Sequence, residues 1–260
     1  MKFSLFCGQE KKFLQEADEI YFRDKDYDML YDLIEVYPEK DFVIQCSTPK
    51  NWQEISAANQ NIKGTIYCAL DNMYFAEDCR QYGLKFFYSY PVNTFYELKG
   101  LVELGVSYIR VGMPLFFYMK ELAAFNIPVR LTPNKAYESY IPRKDGINGQ
   151  WIRPEDLHLY EKIGLKDVIC EFRTFDIPLE GSYLVYEQTL FDIYKNKQKW
   201  EGRLCNIVKD LGVENLNSTI DEEIGYYRLN CHQACVFNRC HYCDIALRFD
   251  EMARLYKEKK

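Results

Sequence analysis

Four cysteines, Cys231, Cys235, Cys240 and Cys243, stand within fourteen residues in the segment NCHQACVFNRCHYC at positions 230–243. The spacing, C-x3-C-x4-C-x2-C, brings sulfurs within reach of one inorganic centre, because three- and four-residue turns let two thiolates point at a common point. A four-thiolate zinc site would order a short segment through roughly 10–16 kcal/mol of binding free energy. Cys235, Cys240 and Cys243 also form the C-x4-C-x2-C run of plant-type [2Fe–2S] proteins. Thiolate softness suits zinc and an iron–sulfur cluster alike, so both stay open at this point. His232 and His241 flank the set as neighbours that could replace one sulfur.

The second group able to do chemistry is a set of charges inside apolar runs. Arg23 closes EIYFR, Arg110 lies in SYIRVG, Arg130 in IPVRLT, and Glu171 with Arg173 at the end of DVICEFR. Residues two apart on a strand share a face, so Glu171 and Arg173 point the same way. Buried guanidinium groups need an anionic partner, and arginine presents a planar fork that fits carboxylate or phosphate. These arginines outnumber Glu171, which predicts a positively charged centre and an anionic small-molecule substrate or an RNA base. Arg143, Lys144, Trp151 and Arg153 fall in the long stretch 134–157 and are expected to cover that centre. Asp71, Tyr88, Tyr90 and Asn134 follow candidate strands and form a second tier of site residues.

These side chains must be positioned by the elements around them. Short β-branched and aromatic runs recur at FSLF, EIYFR, DFVIQC, GTIYCAL, LKFFYSY, SYIRVG, IPVRLT and DVICEF, which makes eight candidate strands. Helical patterns separate them. In NTFYELKGLVELG, residues Phe95, Leu98, Leu101, Val102 and Leu104 recur on one face. Strands alternating with helices imply parallel pairing through crossovers, and eight such units predict an α/β fold, a (β/α)8 TIM-like barrel. An open doubly wound sheet is the second expectation, because little chain separates the first two strands. The barrel is expected over 1–195. Residues 196–260 would form a C-terminal Cys-rich appendage with the four-Cys metal site and a closing helix.

Composition narrows the function. The 260 residues carry 33 basic and 39 acidic side chains, net −6, which argues against DNA or any sequence-independent phosphate binding. The apolar stretch at the amino terminus is shorter than the ~7–15 residues of a secretory signal, and charges interrupt every apolar run below the ~18 residues of a membrane span. A cytoplasmic protein with reduced thiols and no membrane contact is the expectation. No G-x-G-x-x-G, Walker or H-E-x-x-H pattern occurs. His158 alone lies away from the cysteine segment, within a helix, which argues against a cysteine peptidase.

The segment WIRPEDLHLYEKIGLKDVICEFRTF resembles the collagenase-like peptidase family, peptidase family U-thirty-two. Pro154, Asp156 and Leu157 match its P-x-D-L helix start; Glu171 and Arg173 match its I-E-G-R strand end, with Phe172 in place of glycine. The likeness is best over 150–195. It implies a barrel-like fold with Glu171 and Arg173 as catalytic residues. It also implies either peptidase activity or oxygen-independent hydroxylation of RNA bases or quinone precursors with an iron–sulfur cluster. Two functions follow as expectations: an enzyme modifying a nucleobase or aromatic anion at the barrel's carboxyl-end face, or a zinc-stabilised barrel binding protein or RNA.

Overall fold

A computed structural model describes residues 1–112, 115, 118–132, 134–135, 150–172, 191–196 and 229. Seven strands run in chain order as β1 (Lys2–Phe6), β2 (Glu19–Phe22), β3 (Asp41–Cys46), β4 (Ile66–Leu70), β5 (Lys85–Tyr88), β6 (Ile109–Arg110) and β7 (Val129–Leu131). A small antiparallel hairpin, β8 (Asn134–Lys135) with β9 (Gln150–Trp151), follows, and β10 (Val168–Phe172) completes the set. Every one of the eight predicted strands is present. The larger sheet is parallel in the order β5-β4-β3-β2-β1-β10-β7-β6.

Its two ends meet. Ser107 N donates to Phe86 O at 2.8 Å, Val92 N to Arg110 O at 2.7 Å and Gly112 N to Val92 O at 2.8 Å, with a parallel bridge between Val92 and Val111. The sheet therefore forms a nearly closed barrel, and the open-sheet expectation is corrected. A strand buried on both faces reads as an unbroken apolar run. IYCAL in β4 and VICEF in β10 are buried at every position, Glu171 included.

The helices between strands are short: α1 (Lys11–Glu16), α2 (Leu30–Val36), α3 (Trp52–Gln60), α4 (Ala76–Gln81), α5 (Phe95–Glu103), α6 (Met119–Ala123) and α7 (Leu157–Lys162). Local chemistry sets their starts. Thr94 and Glu97 form a reciprocal capping box on α5, as the T-x-x-E spacing dictates. Leu98 and Leu101 of α5 are buried, whereas Leu104, expected on the same face, caps the helix and is exposed. Phe191 packs edge-on against Phe3, Phe13 and Phe172, tying the segment 191–196 to the barrel wall. Among the described residues no helix is long and apolar enough to cross a membrane.

Gly64 marks a close approach. A Cβ there would lie 1.8 Å from the Lys40 carbonyl oxygen and 2.4 Å from its carbon, which are backbone atoms that cannot swing aside. Gly64→Ala is expected to cost about 1–3 kcal/mol, the range of an overpacked site, read as a fall in thermal midpoint.

The described cysteines Cys7, Cys46, Cys68, Cys79 and Cys170 are all free and buried. Burial pushes the Cys7 and Cys170 thiols up to about 12. The folded state then keeps protons that the unfolded chain releases above its ordinary value near 9. The stability these thiols contribute is complete below pH 9 and is lost as pH rises toward 12. A pH series of denaturant midpoints should fall across that window, and less steeply for Cys7→Ala.

Candidate functional site

The barrel interior is charged. Strand alternation turns Ser4, Glu19, Arg110, Arg130 and Glu171 toward one space, and Ser4 stands in register with both Glu171 and Glu19. Arg110 grips Glu171 side-on, Nε to Oε2 and Nη2 to Oε1 both at 2.9 Å. Arg130 Nη1 donates to Glu19 Oε1 at 2.9 Å and to Glu171 Oε1 at 2.8 Å, and its Nη2 donates to Glu19 Oε2. The Arg130 guanidinium also stacks 4.4 Å from the centre of the Phe87 ring and 4.8 Å from that of Tyr108. Burial acts to lower the Arg130 pKa, but the charges of Glu19 and Glu171 outweigh it and raise the net value.

This arrangement joins three predicted residues, Arg110, Arg130 and Glu171, and adds one that was missed. Among the described residues two arginines face two glutamates, and Glu19 supplies a counter-charge from inside the chain that was not expected from sequence. Its signal was available as a carboxylate opening the apolar run EIYF. Two other predicted site residues, Arg23 and Arg153, are paired elsewhere. Arg23 pairs with Asp26 at 2.6 Å and lies 4.2 Å over the Phe6 ring, at the carboxyl end of β2. Arg153 is buried and bidentate to Asp156, at 2.6 and 2.9 Å. Burial, opposed by Arg153, raises the Asp156 pKa. Arg143, Arg173, Cys231, Cys235, Cys240 and Cys243, and the side chain of Trp151, lie outside the described residues.

Above the hub, where strands end and the loops to the helices begin, a second polar group assembles. Asp71, directly after β4, accepts from Gln45 Nε2 at 3.1 and 3.3 Å, from Ser47 Oγ at 2.5 Å and from Ser89 Oγ. Tyr21 OH donates in turn to Gln45 Oε1 at 3.2 Å. Three adjacent strands thus contribute: Gln45 and Ser47 from the end of β3, Asp71 from β4, and Ser89 from β5. Beside this clamp, Asp24 accepts from Lys50 Nζ at 2.6 Å and from Ser47 N at 3.2 Å. Tyr88 and Tyr90 lie with ring centres 5.4 Å apart. The Asp71 charge, followed by burial, raises the Tyr90 pKa.

Asp71, Tyr88 and Tyr90 were legible from position alone. Gln45, Ser47 and Ser89 were not, because single small polar residues at strand ends are indistinguishable from turn formers. Among the described residues no group of three or more His, Cys, Asp or Glu could hold a metal ion. His158 is exposed and bonds the Glu155 carbonyl, so it activates none of the buried thiols.

No protein-family model matches the chain, and no curated protein matches it. Two solved structures share the course of the backbone, each at 12% identity. One is described as a cube-shaped, highly porous protein cage designed by fusing symmetric oligomeric domains; the match covers 76% of this chain and 73% of that one, with a TM-score of 0.44. The other is a 4-hydroxy-2-oxoglutarate aldolase/2-deydro-3-deoxyphosphogluconate aldolase from TTHB1, covering 75% of this chain and 93% of that one at a TM-score of 0.43. At that level of agreement neither likeness informs the chemistry of the mouth. The chain is a parallel α/β barrel with an ion-paired hub and a polar carboxyl-end mouth.

Proposed function

We propose that the protein is an enzyme that modifies a nucleobase or another aromatic substrate at the carboxyl-end mouth, with Asp71 receiving an N–H or O–H of the substrate. The observation that carries this is the clamp on Asp71: neutral donors from β3 and β5 fix both carboxylate oxygens at the face where parallel barrels place their chemistry. A group held this way is preorganised for a reacting partner. Tyr88 and Tyr90 stand beside it as aromatic walls, the surface on which an unstacked base or a similar ring rests. Glu171 is fully buried and bound by two arginines, which favours a positioning role beneath the mouth over contact with substrate.

The finer chemistry, hydroxylation in the manner of peptidase family U-thirty-two relatives, remains part of the proposal. Cys231, Cys235, Cys240 and Cys243 would hold the zinc ion or iron–sulfur cluster. A cluster there would supply electron transfer and zinc would supply only structural order. Anaerobic purification with an absorption spectrum and metal analysis separates the two: visible absorbance with iron and sulfide supports hydroxylation. A colourless protein with one zinc instead supports the reading of a zinc-stabilised barrel that binds protein or RNA.

The enzymatic reading is tested by comparing modified nucleosides and small aromatic metabolites, by mass spectrometry, in cells with and without the gene. Loss of one modified species is expected. Identical profiles would remove the proposal.

A further inference from the structure

Among the described residues, the carboxylates at the β2–β5 side of the mouth are not partnered alike. Arg23 is answered by Asp26 and Lys50 by Asp24, whereas every bond to Asp71 comes from a neutral donor: an amide and two hydroxyls. Among the described residues, the side-chain bonds to Asp71 bring no cation to it. Neutral donors orient a carboxylate without cancelling its charge, and the remaining acceptor capacity suits a charged N–H more than a neutral one.

The loops on that side reinforce the sign. Residues 71–79 and 88–98 contain no lysine or arginine. Of their acids, Glu77 is paired with Arg80 at 3.0 Å and Glu97 is occupied by the backbone of Asn93 and Thr94. Tyr90 is half exposed at 50%, and Tyr74, on the loop after β4, is 88% exposed. A tyrosine ring presents a negative face that attracts a cation and repels an anion. An aromatic anion entering here would meet a carboxylate and two ring faces of the wrong sign.

We infer that the β4–β5 side of the mouth binds a small aromatic ammonium ion, its N–H directed at Asp71 and its ring lying against Tyr88 and Tyr90. The inference rests on the mouth being the substrate site and narrows the substrate to rings that carry a basic, protonated nitrogen. It differs in sign from the anionic preference that the arginines suggested in sequence; two of them, Arg110 and Arg130, are paired with Glu171 and Glu19 inside the barrel.

The test uses three probes that share one ring and differ in charge: benzylamine, benzyl alcohol and benzoate, titrated into the full chain at pH 7 by calorimetry. Benzylamine is expected to bind about tenfold tighter than either other probe, the effect of one charge-assisted contact. Asp71→Asn should reduce that preference to about twofold or less, with the folded state checked by circular dichroism. Tyr90→Leu, a half-exposed position whose change leaves the clamp intact, should weaken benzylamine several-fold and leave benzoate unaffected. Benzoate binding as tightly as benzylamine, or no binding of any probe, overturns the inference. The two readings fail separately: benzoate preference together with a changed nucleoside profile sinks only the cation. Amine preference with unchanged profiles sinks only the proposed reaction.

Discussion

Arg130→Met is expected to lower the unfolding free energy by about 3–5 kcal/mol, the cost of breaking a buried ion network by removing one partner. The reason is local. Glu19 receives its bonds from Arg130, and with that guanidinium gone a buried carboxylate is left in the barrel centre without a counter-charge. Glu171 keeps Arg110 and suffers less. Against a total stability of about 5–15 kcal/mol, such a loss would unfold a sizeable fraction of the protein near physiological temperature. Pairing Arg130→Met with Glu19→Leu removes the stranded charge along with its partner and should restore most of the deficit. Urea denaturation followed by circular dichroism measures both. A single-variant cost under about 1 kcal/mol would mean that the hub does not carry the ion network described.

The second large effect is on function. Asp71→Asn keeps one oxygen to accept from Ser47 or Ser89, so the barrel should fold with a midpoint within a few degrees of the natural protein. Turnover should nevertheless fall by about 10²–10⁴-fold, the range associated with losing a positioned proton-accepting group. Asp71→Glu retains the charge but displaces it by one methylene from its three donors, and a misplacement of about 1 Å costs on the order of 10². The readout is the amount of the affected nucleoside or aromatic product in cells carrying each variant gene. Unchanged product with either substitution would remove Asp71 from the chemistry.

Both predictions concern residues whose importance was unevenly visible before the fold was known. Arg110, Arg130 and Glu171 stood out because a charge in an apolar run is rare and costly to bury. Glu19 has the same property but opens its strand, where a carboxylate passes for a turn residue or a cap. Its partner is 111 positions away, and nothing in the local pattern links the two. Glu19 supplies a counter-charge to Arg130 from within the chain, a pairing that the arginines in their apolar runs did not announce. Asp71 was visible only as one of several polar residues after strands, because its distinction comes from donors on neighbouring strands.

From the amino-acid order alone came the eight strands, the helices between them, and the parallel barrel they imply. Those properties follow from periodicity and crossover length, which are local and repeat along the chain. The compact spacing of Cys231, Cys235, Cys240 and Cys243 was equally plain, and their metal remains a proposal. Only the nearly closed sheet decided which of the described charges meet in the hub and which neutral donors gather on Asp71 at the mouth. Contacts across a ring depend on the register of every strand between them, and a shift of two residues in any one of them would pair different side chains while leaving the hydrophobic pattern unchanged.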